Sequence, residues 1–355
     1  MSVIDKIWYE KGATSFLMRL PLIPFSCVFK FATAARRFLY GTEVLKSTAP
    51  DVPVVVIGGI TVGGSGKTPL CVALVKELMR LGYTPGVLSR GYKAKASSYP
   101  YEVKADDDAS VSGDEPLLIK RQTNARVIID PDRARGADAL ARLGVDIIIT
   151  DDGMQHYSLD RDVEIAVLDG NRMLGNGMLL PAGPLREGKW RLNTVDAVVV
   201  NAAMAKSGYY TMVLRPRAPH PVNDGRNEVL AKNAEVCALA GIGNPGRFYR
   251  TLEDCGYLVK DILQAGDHER LDPDVIREKA KNLPVIMTAK DAIKYHRYDL
   301  PNVFVLEVEA DLSNRFYENI MEKIKDSDNK VALRRMDAMK RLNNNDFSNK
   351  PKDEV

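Results

Sequence analysis

Short apolar runs alternate with segments of helical periodicity between residue 52 and about residue 201. Several runs are rich in Val and Ile without polar alternation, which is typical of parallel strands buried on both faces of a sheet. The predicted strands are Val54–Ile57, Gly86–Leu88, Val127–Ile129, Asp146–Thr150, Glu164–Leu168 and Ala197–Asn201, and the predicted helices are Leu70–Leu81, Glu115–Arg121 and Ala134–Leu143. This order predicts an α/β fold with a doubly wound parallel sheet.

A second, shorter α/β pattern follows a segment rich in Pro, Asn, Asp and Gly, residues 216–234, which is predicted to be a linker or small hairpin. The strands predicted after it are Val236–Leu239, Val285–Met287 and Val303–Val308, and the helices are Pro245–Asp254, Asp274–Lys281 and Ser313–Lys325. We therefore expect a larger domain at residues 41–215, a smaller α/β domain at 235–328, and a polar, loosely ordered tail at 329–355.

The first 40 residues mix large apolar side chains with basic ones. The longest uncharged run, Leu20–Phe29, is about half as long as the roughly 20 residues that a membrane-spanning helix needs. The segment also lacks the basic start, apolar centre and cleavage site of a signal peptide. Two interpretations stay open, a helical segment lying in a membrane interface or a helix buried against the core.

Composition narrows the class of protein. Of the 355 residues, 45% are hydrophobic and 27% are charged, as in soluble globular proteins. The net charge of +3 is too small to indicate a nucleic-acid partner, and no feature indicates an obligate protein partner. The four cysteines are widely spaced and form no C-x-x-C pair, so we expect a reducing compartment and neither disulfides nor a zinc site.

The strand Val54–Ile57 leads into a glycine-rich turn and then a helix, the order of a phosphate-binding P-loop. The residues expected to bind a nucleoside triphosphate are Thr61, Val62, Gly63, Gly64, Ser65, Gly66, Lys67 and Thr68. Backbone N–H groups would face phosphate oxygens, Lys67 would reach the β- and γ-phosphates, and the Thr68 hydroxyl would ligate Mg²⁺. Thr61 stands where the usual pattern has glycine.

Acidic residues mark two further places. Asp151 and Asp152 end a buried apolar run and are expected to hold Mg²⁺ opposite the P-loop, although a turn-forming pair gives the same pattern. Asp114 and Glu115 open a predicted helix, and their spacing alone favours a cap that stabilises the helix over a catalytic role.

Basic residues cluster in two loops of the larger domain, SRGYK and AGPLREGKWR. Arg90, Lys93 and Arg186 are candidates for binding a phosphate on an acceptor molecule, because guanidinium and ammonium groups suit phosphate oxygens. A solvated basic face explains the same residues equally well.

Six motifs occur in order along the chain: TVGGSGKTP, LSRGYK, GDEP, ITDDGMQH, LLPAGPLRE and TAKDAIK. Together they resemble the tetraacyldisaccharide 4′-kinase family, the lipid A 4′-kinases of Gram-negative bacteria. The P-loop of that family resembles ITVGGSGKTP, so Thr61 is expected as a family feature. The chain departs from the family at Ala289, where a glutamate is common.

The resemblance implies a P-loop kinase that uses ATP and Mg²⁺ to phosphorylate the 4′-hydroxyl of a tetraacyldisaccharide 1-phosphate, a lipid A precursor. This glycolipid would be met at the cytoplasmic face of the bacterial inner membrane, which favours the interfacial interpretation of residues 1–40. Asp114 matches the family's catalytic aspartate, and His268 resembles the histidine that pairs with it. The resemblance thus favours catalysis over capping at Asp114.

The expected site residues fall into three groups, catalytic, metal-binding and substrate-binding. Lys67 joins Asp114 and His268 as a catalytic residue, and Thr68, Asp151 and Asp152 are the expected metal ligands. The expected substrate-binding residues are Arg90, Tyr92, Lys93, Glu115 and Arg186.

The main alternative is a P-loop ATPase or GTPase that acts as a switch or maturation factor. Two features argue against it. Val62 stands where relatives with a GKGGxGK loop have lysine. No N-K-x-D motif for guanine occurs, because Asn329-Lys330 is followed by Val331-Ala332.

Overall fold

The computed structural model describes residues 3–202, 204–223, 228–266 and 269–348. Its strands are β1 (Val54–Gly58), β2 (Pro85–Ser89), β3 (Tyr101–Glu102), β4 (Arg126–Ile129), β5 (Ile147–Asp151), β6 (Val163–Asp169), β7 (Ala197–Asn201), β8 (Tyr210–Pro216), β9 (His220–Pro221), β10 (Glu235–Ala240), β11 (Leu258–Gln264), β12 (Val285–Thr288), β13 (Val303–Leu306) and β14 (Val308–Leu312). Its α-helices are α1 (Val3–Tyr9), α2 (Ala13–Arg19), α3 (Ile23–Gly41), α4 (Lys67–Arg80), α5 (Ala109–Ser112), α6 (Asp114–Thr123), α7 (Arg133–Arg142), α8 (Pro245–Asp254), α9 (Pro273–Ala280), α10 (Ala289–Ala292) and α11 (Asn314–Ser348).

A nine-stranded sheet forms the larger part of the molecule, in the order β14-β8-β7-β6-β1-β5-β2-β4-β3. The edge strands β3 and β14 run antiparallel to their neighbours, and the inner strands pair in parallel. Val55 and Ile57 of β1 belong to an apolar cluster with α4, α6 and α11, whereas Val54 and Val56 belong to a cluster on the opposite face with α7. Helices therefore cover both faces, which confirms the predicted doubly wound α/β fold.

A five-stranded sheet follows, in the order β11-β10-β12-β13-β9. Its strands pair in parallel except β9, which runs antiparallel to β13. The segment predicted as a linker or hairpin, residues 216–234, thus contributes an edge strand whose partner lies some 80 residues away in the chain. Pattern alone cannot show this pairing, because a two-residue strand carries no periodicity.

After β13 the chain returns to the large sheet. The small-sheet unit therefore ends earlier than residue 328, where the smaller domain is predicted to end. The predicted strand Val303–Val308 is two strands, because Glu307 interrupts the apolar run between β13 and β14. β14 pairs with β8, and Phe316 and Ile320 of α11 pack into the large-sheet core. We call residues 42–216 with 308–348 the large-sheet unit, and residues 220–306 the small-sheet unit.

α11 also changes the picture of the C-terminal tail. Residues 329–348 continue this helix, whereas a loosely ordered tail is predicted from residue 329. The sequence after residue 330 contains Ala, Leu, Met, Arg and Lys, which are strong helix formers even where few apolar residues occur. The low hydrophobicity of residues 329–348 therefore did not indicate whether their backbone is helical.

The N-terminal helices α1 to α3 leave their large apolar side chains in solvent. On α2 and α3 the most exposed are Phe16, Leu17, Phe25, Val28, Phe31 and Phe38, and the only buried residues are Ser15 and Ser26. By length and composition alone, Ala13–Gly41 is long and apolar enough to cross a membrane, and 6% of its apolar 18-residue window is buried. The interpretation as a helix buried in the core is wrong, because the apolar faces point away from it.

Candidate active site

The glycine turn between β1 and α4 has the geometry of an anion cradle. α4 begins at Lys67, and its N-cap Gly66 has a φ of 97°, in the left-handed region. A Cβ at Gly66 would lie 2.7 Å from Asn201 Nδ2, so only glycine fits this position. Thr61 and Ser65 are buried, while Gly63 and Gly64 are exposed to solvent. The predicted order of strand, turn and helix is confirmed, with the helix N-terminus open to a phosphate.

A second loop, residues 178–187, lies along the P-loop, and we call it the bracing loop. Val62 donates its N–H to the Pro184 carbonyl at 2.9 Å, and Arg186 donates its N–H to the Ile60 carbonyl at 2.7 Å. Thr61 and Leu185 form an antiparallel bridge. The bracing loop thereby fixes the backbone of the P-loop and carries Arg186 to the site.

Asp151 and Asp152 lie beside the P-loop because β5 pairs with β1, with Asp151 opposite Ile57. Both carboxylate oxygens of Asp151 are buried without a hydrogen-bond partner. Burial, with the nearby charges of Glu115 and Asp152, raises the pKa of Asp151 to about 7. A buried carboxylate without partners is costly unless a proton or a cation neutralises it. Asp151 therefore presents two buried carboxylate oxygens at the end of β5, beside the P-loop.

Asp152 has the opposite surroundings although it is the next residue. Its φ is 54°, which turns the chain at the end of the strand. Arg186 Nη1 donates to both of its oxygens at 2.9 and 2.8 Å, and Lys67 Nζ lies 3.8 Å from Oδ1. Burial alone would raise the pKa of Asp152, but the charges of Lys67 and Arg186 outweigh it and lower the pKa. Asp152 therefore positions Lys67 and Arg186 at the P-loop.

Arg133 is a site residue that the sequence reasoning missed. Its side chain is almost fully buried, donates to the carbonyls of Leu88 at 2.9 Å and Asp151 at 3.3 Å, and leaves Nε without a partner. Burial lowers its pKa to about 10, so it stays charged at neutral pH. Arginine is rarely buried, so a single basic residue after a predicted strand gave no signal.

A second missed group links the P-loop to the small-sheet unit. Asn201 ends β7 and donates Nδ2 to the Ser65 carbonyl at 3.2 Å. Arg247 of α8 donates Nη2 to Asn201 Oδ1 at 2.7 Å, and its Nη1 lies 3.7 Å from Asp169 Oδ2 at the end of β6. The sequence did contain a signal for this group, because the polar residues Asp169 and Asn201 stand at the carboxyl ends of two predicted apolar strands, where ligands bind in such sheets.

Asp114 and Glu115 lie on the other side of the site, at the start of α6. The N-cap is Gly113, so Asp114 occupies the first helical position and makes no cap. Lys294 Nζ of the small-sheet unit lies 3.8 Å from Asp114 Oδ2, and Lys290 Nζ lies 3.5 Å from Glu115 Oε1. Both carboxylates therefore lie where the two units meet. His268 lies outside the described residues.

The loop after β2 carries the remaining predicted substrate residues. Arg90, Tyr92 and Lys93 are exposed, and the Lys93 ammonium lies 5.8 Å from the centre of the Tyr92 ring. The Tyr92 carbonyl lies 3.3 Å from the position of a Cβ on Gly113, so this loop borders the start of α6. The structure thus brings the SRGYK loop beside Asp114, and Arg186 beside the P-loop.

The N-terminal helices are attached to the bracing loop. Ser26 Oγ of α3 donates to the Leu179 carbonyl at 2.9 Å and accepts from the Ala182 N–H at 3.0 Å. Trp8 Nε1 of α1 donates to the Pro181 carbonyl at 2.9 Å. The loop therefore contacts the P-loop on one side and the apolar helices on the other.

Comparison with known proteins agrees with this geometry. The sequence profile of the family described as tetraacyldisaccharide-1-P 4′-kinase matches residues 18–325. A tetraacyldisaccharide 4′-kinase of Shewanella sp. (strain MR-4) is 44% identical over 324 residues, which cover 91% of this chain and 95% of the relative. That of Vibrio cholerae (El Tor Inaba N16961) is 42% identical over 325 residues, 91% of this chain and 97% of the relative.

Among solved structures, the fold is similar to that of LpxK from Aquifex aeolicus in a crystal structure with ATP. The TM-score is 0.73 at 29% sequence identity, and the match covers 86% of this chain and 99% of the solved one. The P-loop, the paired aspartates, the bracing loop and the small-sheet unit thus occur in a chain whose residues 18–325 match the family profile. This protein belongs to the tetraacyldisaccharide-1-P 4′-kinase family.

Proposed function

We propose that this protein transfers the γ-phosphoryl group of ATP to the 4′-hydroxyl of a tetraacyldisaccharide 1-phosphate, giving the bis-phosphorylated lipid A intermediate. Besides family membership, one observation carries the proposal. Helix α4, which begins at the P-loop, packs against α6, which begins at Asp114, and the charge of Glu115 helps to raise the pKa of Asp151 beside the P-loop. A phosphate cradle close to a carboxylate suits transfer to a hydroxyl.

The donor side would bind ATP through the P-loop. Backbone N–H groups of residues 61–68 and the N-terminus of α4 would bind the phosphates, as the ATP-bound relative supports. Lys67 would bind the β- and γ-phosphates, since Asp152 already holds its ammonium group at the turn. Arg186, held by the same carboxylate, would stabilise charge on the transferring group.

The residues present fit a magnesium ion. Carboxylate and hydroxyl oxygens are the ligands that Mg²⁺ prefers, and both oxygens of buried Asp151 lack a partner. Thr68 and Asp151 are the better candidates for direct ligands, because Asp152 is engaged by Lys67 and Arg186. Bound Mg²⁺ would supply neutralisation of phosphate charge. No group of three or more acidic, His or Cys side chains suited to a metal occurs in the part of the chain that is described.

Asp114 would accept the proton of the 4′-hydroxyl as this oxygen attacks the γ-phosphorus, because a sugar hydroxyl is a poor nucleophile until it loses its proton. His268 is expected to orient Asp114. Arg90, Tyr92, Lys93 and Glu115 are expected to contact the acceptor, and the SRGYK loop that carries the first three borders the start of α6. A basic loop suits the 1-phosphate of that acceptor.

The exposed helices α2 and α3 would seat the enzyme in the headgroup layer at the cytoplasmic face of the inner membrane. The exposed apolar side chains are accompanied by Arg19, Lys30, Arg36 and Arg37, a composition typical of interfacial helices. The acceptor's acyl chains could then stay in the bilayer while its sugar reaches Asp114.

The test is incubation of the purified protein with γ-labelled ATP, Mg²⁺ and tetraacyldisaccharide 1-phosphate in mixed detergent–phospholipid micelles. We expect a labelled bis-phosphorylated glycolipid from the wild type and, in the same time, at least about 10³-fold less of it from Lys67→Ala. ATP hydrolysis at the same rate with and without glycolipid, and no labelled lipid, would instead support a nucleotide-hydrolysing switch.

A further inference from the structure

Lys294 is a buried cation that the reaction described above does not use. It follows the short helix α10, and its side chain is 4% exposed. Lysine is seldom buried, because desolvating its ammonium group is unfavourable unless partners compensate. The partners of Lys294 therefore indicate why it is there.

Two of these partners hold the ammonium group within the small-sheet unit. Lys294 Nζ donates to Asp291 Oδ1 at 3.0 Å and to the Glu269 carbonyl at 3.0 Å. Asp291 is itself fully buried and also accepts from the Gly241 N–H at 2.9 Å and from Thr288 Oγ1 at 2.7 Å. The carboxylate that anchors Lys294 is thus fixed on both oxygens, so the ammonium group has little freedom.

The third partner is Asp114, which lies in the large-sheet unit and is the proposed proton acceptor. An ammonium group has three N–H donors, and two of those on Lys294 are engaged. Asp114 Oδ2 lies 3.8 Å from Nζ, an ion-pair distance longer than a hydrogen bond. Because both side chains are largely buried, at 4% and 12% exposure, water screens this attraction little.

The neighbouring lysine of the same motif offers a contrast. Lys290 Nζ lies 3.5 Å from Glu115 Oε1, but these side chains are 19% and 37% exposed. Partly solvated ion pairs contribute little to a fixed geometry. Of the two lysines, Lys294 is the one whose position is set by buried partners.

We propose that Lys294 is a positioning residue for Asp114, which it holds in the orientation that accepts the proton of the acceptor hydroxyl. The inference rests on the proposed function of Asp114. The small-sheet unit would then complete the acceptor side through the chain of contacts Gly241–Asp291–Lys294–Asp114. Displacing a base by about 1 Å can lower a rate by up to about 100-fold, so a cation that fixes it matters.

The experiment compares Lys294→Gln with the wild type, alone and combined with Asp114→Asn. Glutamine keeps a hydrogen-bond donor for Asp291 and removes the charge that faces Asp114. We expect kcat to fall by about 10- to 100-fold, with the KM for ATP unchanged. In the Asp114→Asn background the same substitution should have no further effect, measured in single turnovers over hours. The matched control is Lys260→Met, which removes an exposed lysine paired with Glu235 in the same unit.

Three outcomes overturn the inference. These are an unchanged kcat in Lys294→Gln, an equal loss in both backgrounds, and a rise in the KM for ATP that matches the loss of rate. If Lys294→Gln does not fold, Lys294→Arg takes its place, since it keeps the charge for Asp291 but shifts it relative to Asp114. The same dependence on Asp114 is then required. Wild-type protein that makes no bis-phosphorylated lipid would overturn the proposed function instead.

Discussion

The two sides of the proposed active site are built differently. On the donor side, adjacent parallel strands place the P-loop, Asp151 and Asp152 within one sheet, and the bracing loop fixes them. On the proposed acceptor side, Asp114 meets Lys294 from the other unit, and Arg90, Tyr92 and Lys93 are exposed. The difference indicates a nucleotide site that is formed in advance and an acceptor site that depends on how the two units meet.

The largest expected effect is on the donor side. Lys67→Ala removes the ammonium group at the start of α4 and should lower kcat by on the order of 10³-fold or more, because charge neutralisation dominates phosphoryl transfer. Single-turnover transfer of labelled phosphate measures the loss. The wild type should bind ATP equally well with and without glycolipid, and a strong dependence on glycolipid would contradict a preformed donor side.

Asp114→Asn tests the acceptor side at its centre. It keeps the shape of the side chain but cannot accept a proton, so kcat should fall by about 10²- to 10⁴-fold. Calorimetry should show unchanged ATP affinity, since the P-loop does not use this residue. Weakened ATP binding would mean that the two sides are not separable.

A smaller effect is expected from substituting Asp151 or Asp152 on the donor side. In metal- and nucleotide-free protein, Asp151→Asn should raise the free energy of unfolding at pH 8 by on the order of 1–3 kcal/mol, because it removes an unpartnered buried charge. The raised pKa, about 7, means that folded Asp151 is largely protonated at pH 5. The stabilising effect should therefore be absent below about pH 4, where Asp151 is protonated in the folded and the unfolded protein, grow as the pH rises towards 7, and stay constant above that.

Asp152→Asn is the matched comparison, since its pKa is lowered by Lys67 and Arg186. It should destabilise the ligand-free protein at pH 8, because the ion pairs with these residues are lost. Chemical denaturation at both pH values measures the two variants. Equal effects of the two substitutions would show that their surroundings do not differ as described.

The smallest effect on chemistry is expected from the exposed helices. Phe31→Ser with Phe38→Ser removes two side chains that are 77% and 68% exposed, so folding should be unaffected. Binding to phosphatidylethanolamine–phosphatidylglycerol vesicles should weaken by on the order of 10- to 100-fold, since each ring loses apolar burial in lipid. Val229→Ser, an exposed apolar residue of the small-sheet unit, is the control. Vesicle binding equal to the control would contradict an interfacial role.

Local patterns predicted the strand, turn and helix of the P-loop well. β1, the glycine turn and α4 are contiguous in sequence, so periodicity and turn chemistry sufficed. Local patterns could not predict the contacts between the large-sheet and small-sheet units. Asp114 and Lys294, for example, are 180 positions apart and are brought together only by the packing of the two units. Arg133 was missed because arginine side chains are usually exposed to solvent, whereas this one is buried. The division of Val303–Val308 into two strands was missed because it depends on a single residue, Glu307.

The bracing loop has a practical consequence for work with this enzyme. Deleting the apolar helices to obtain a more soluble protein would also remove Ser26 and Trp8, whose hydrogen bonds hold the loop at Leu179, Ala182 and Pro181. The same loop supports Val62 and carries Arg186, so such a truncation would loosen the nucleotide site as well. Replacing exposed phenylalanines one at a time removes apolar surface and leaves that support in place.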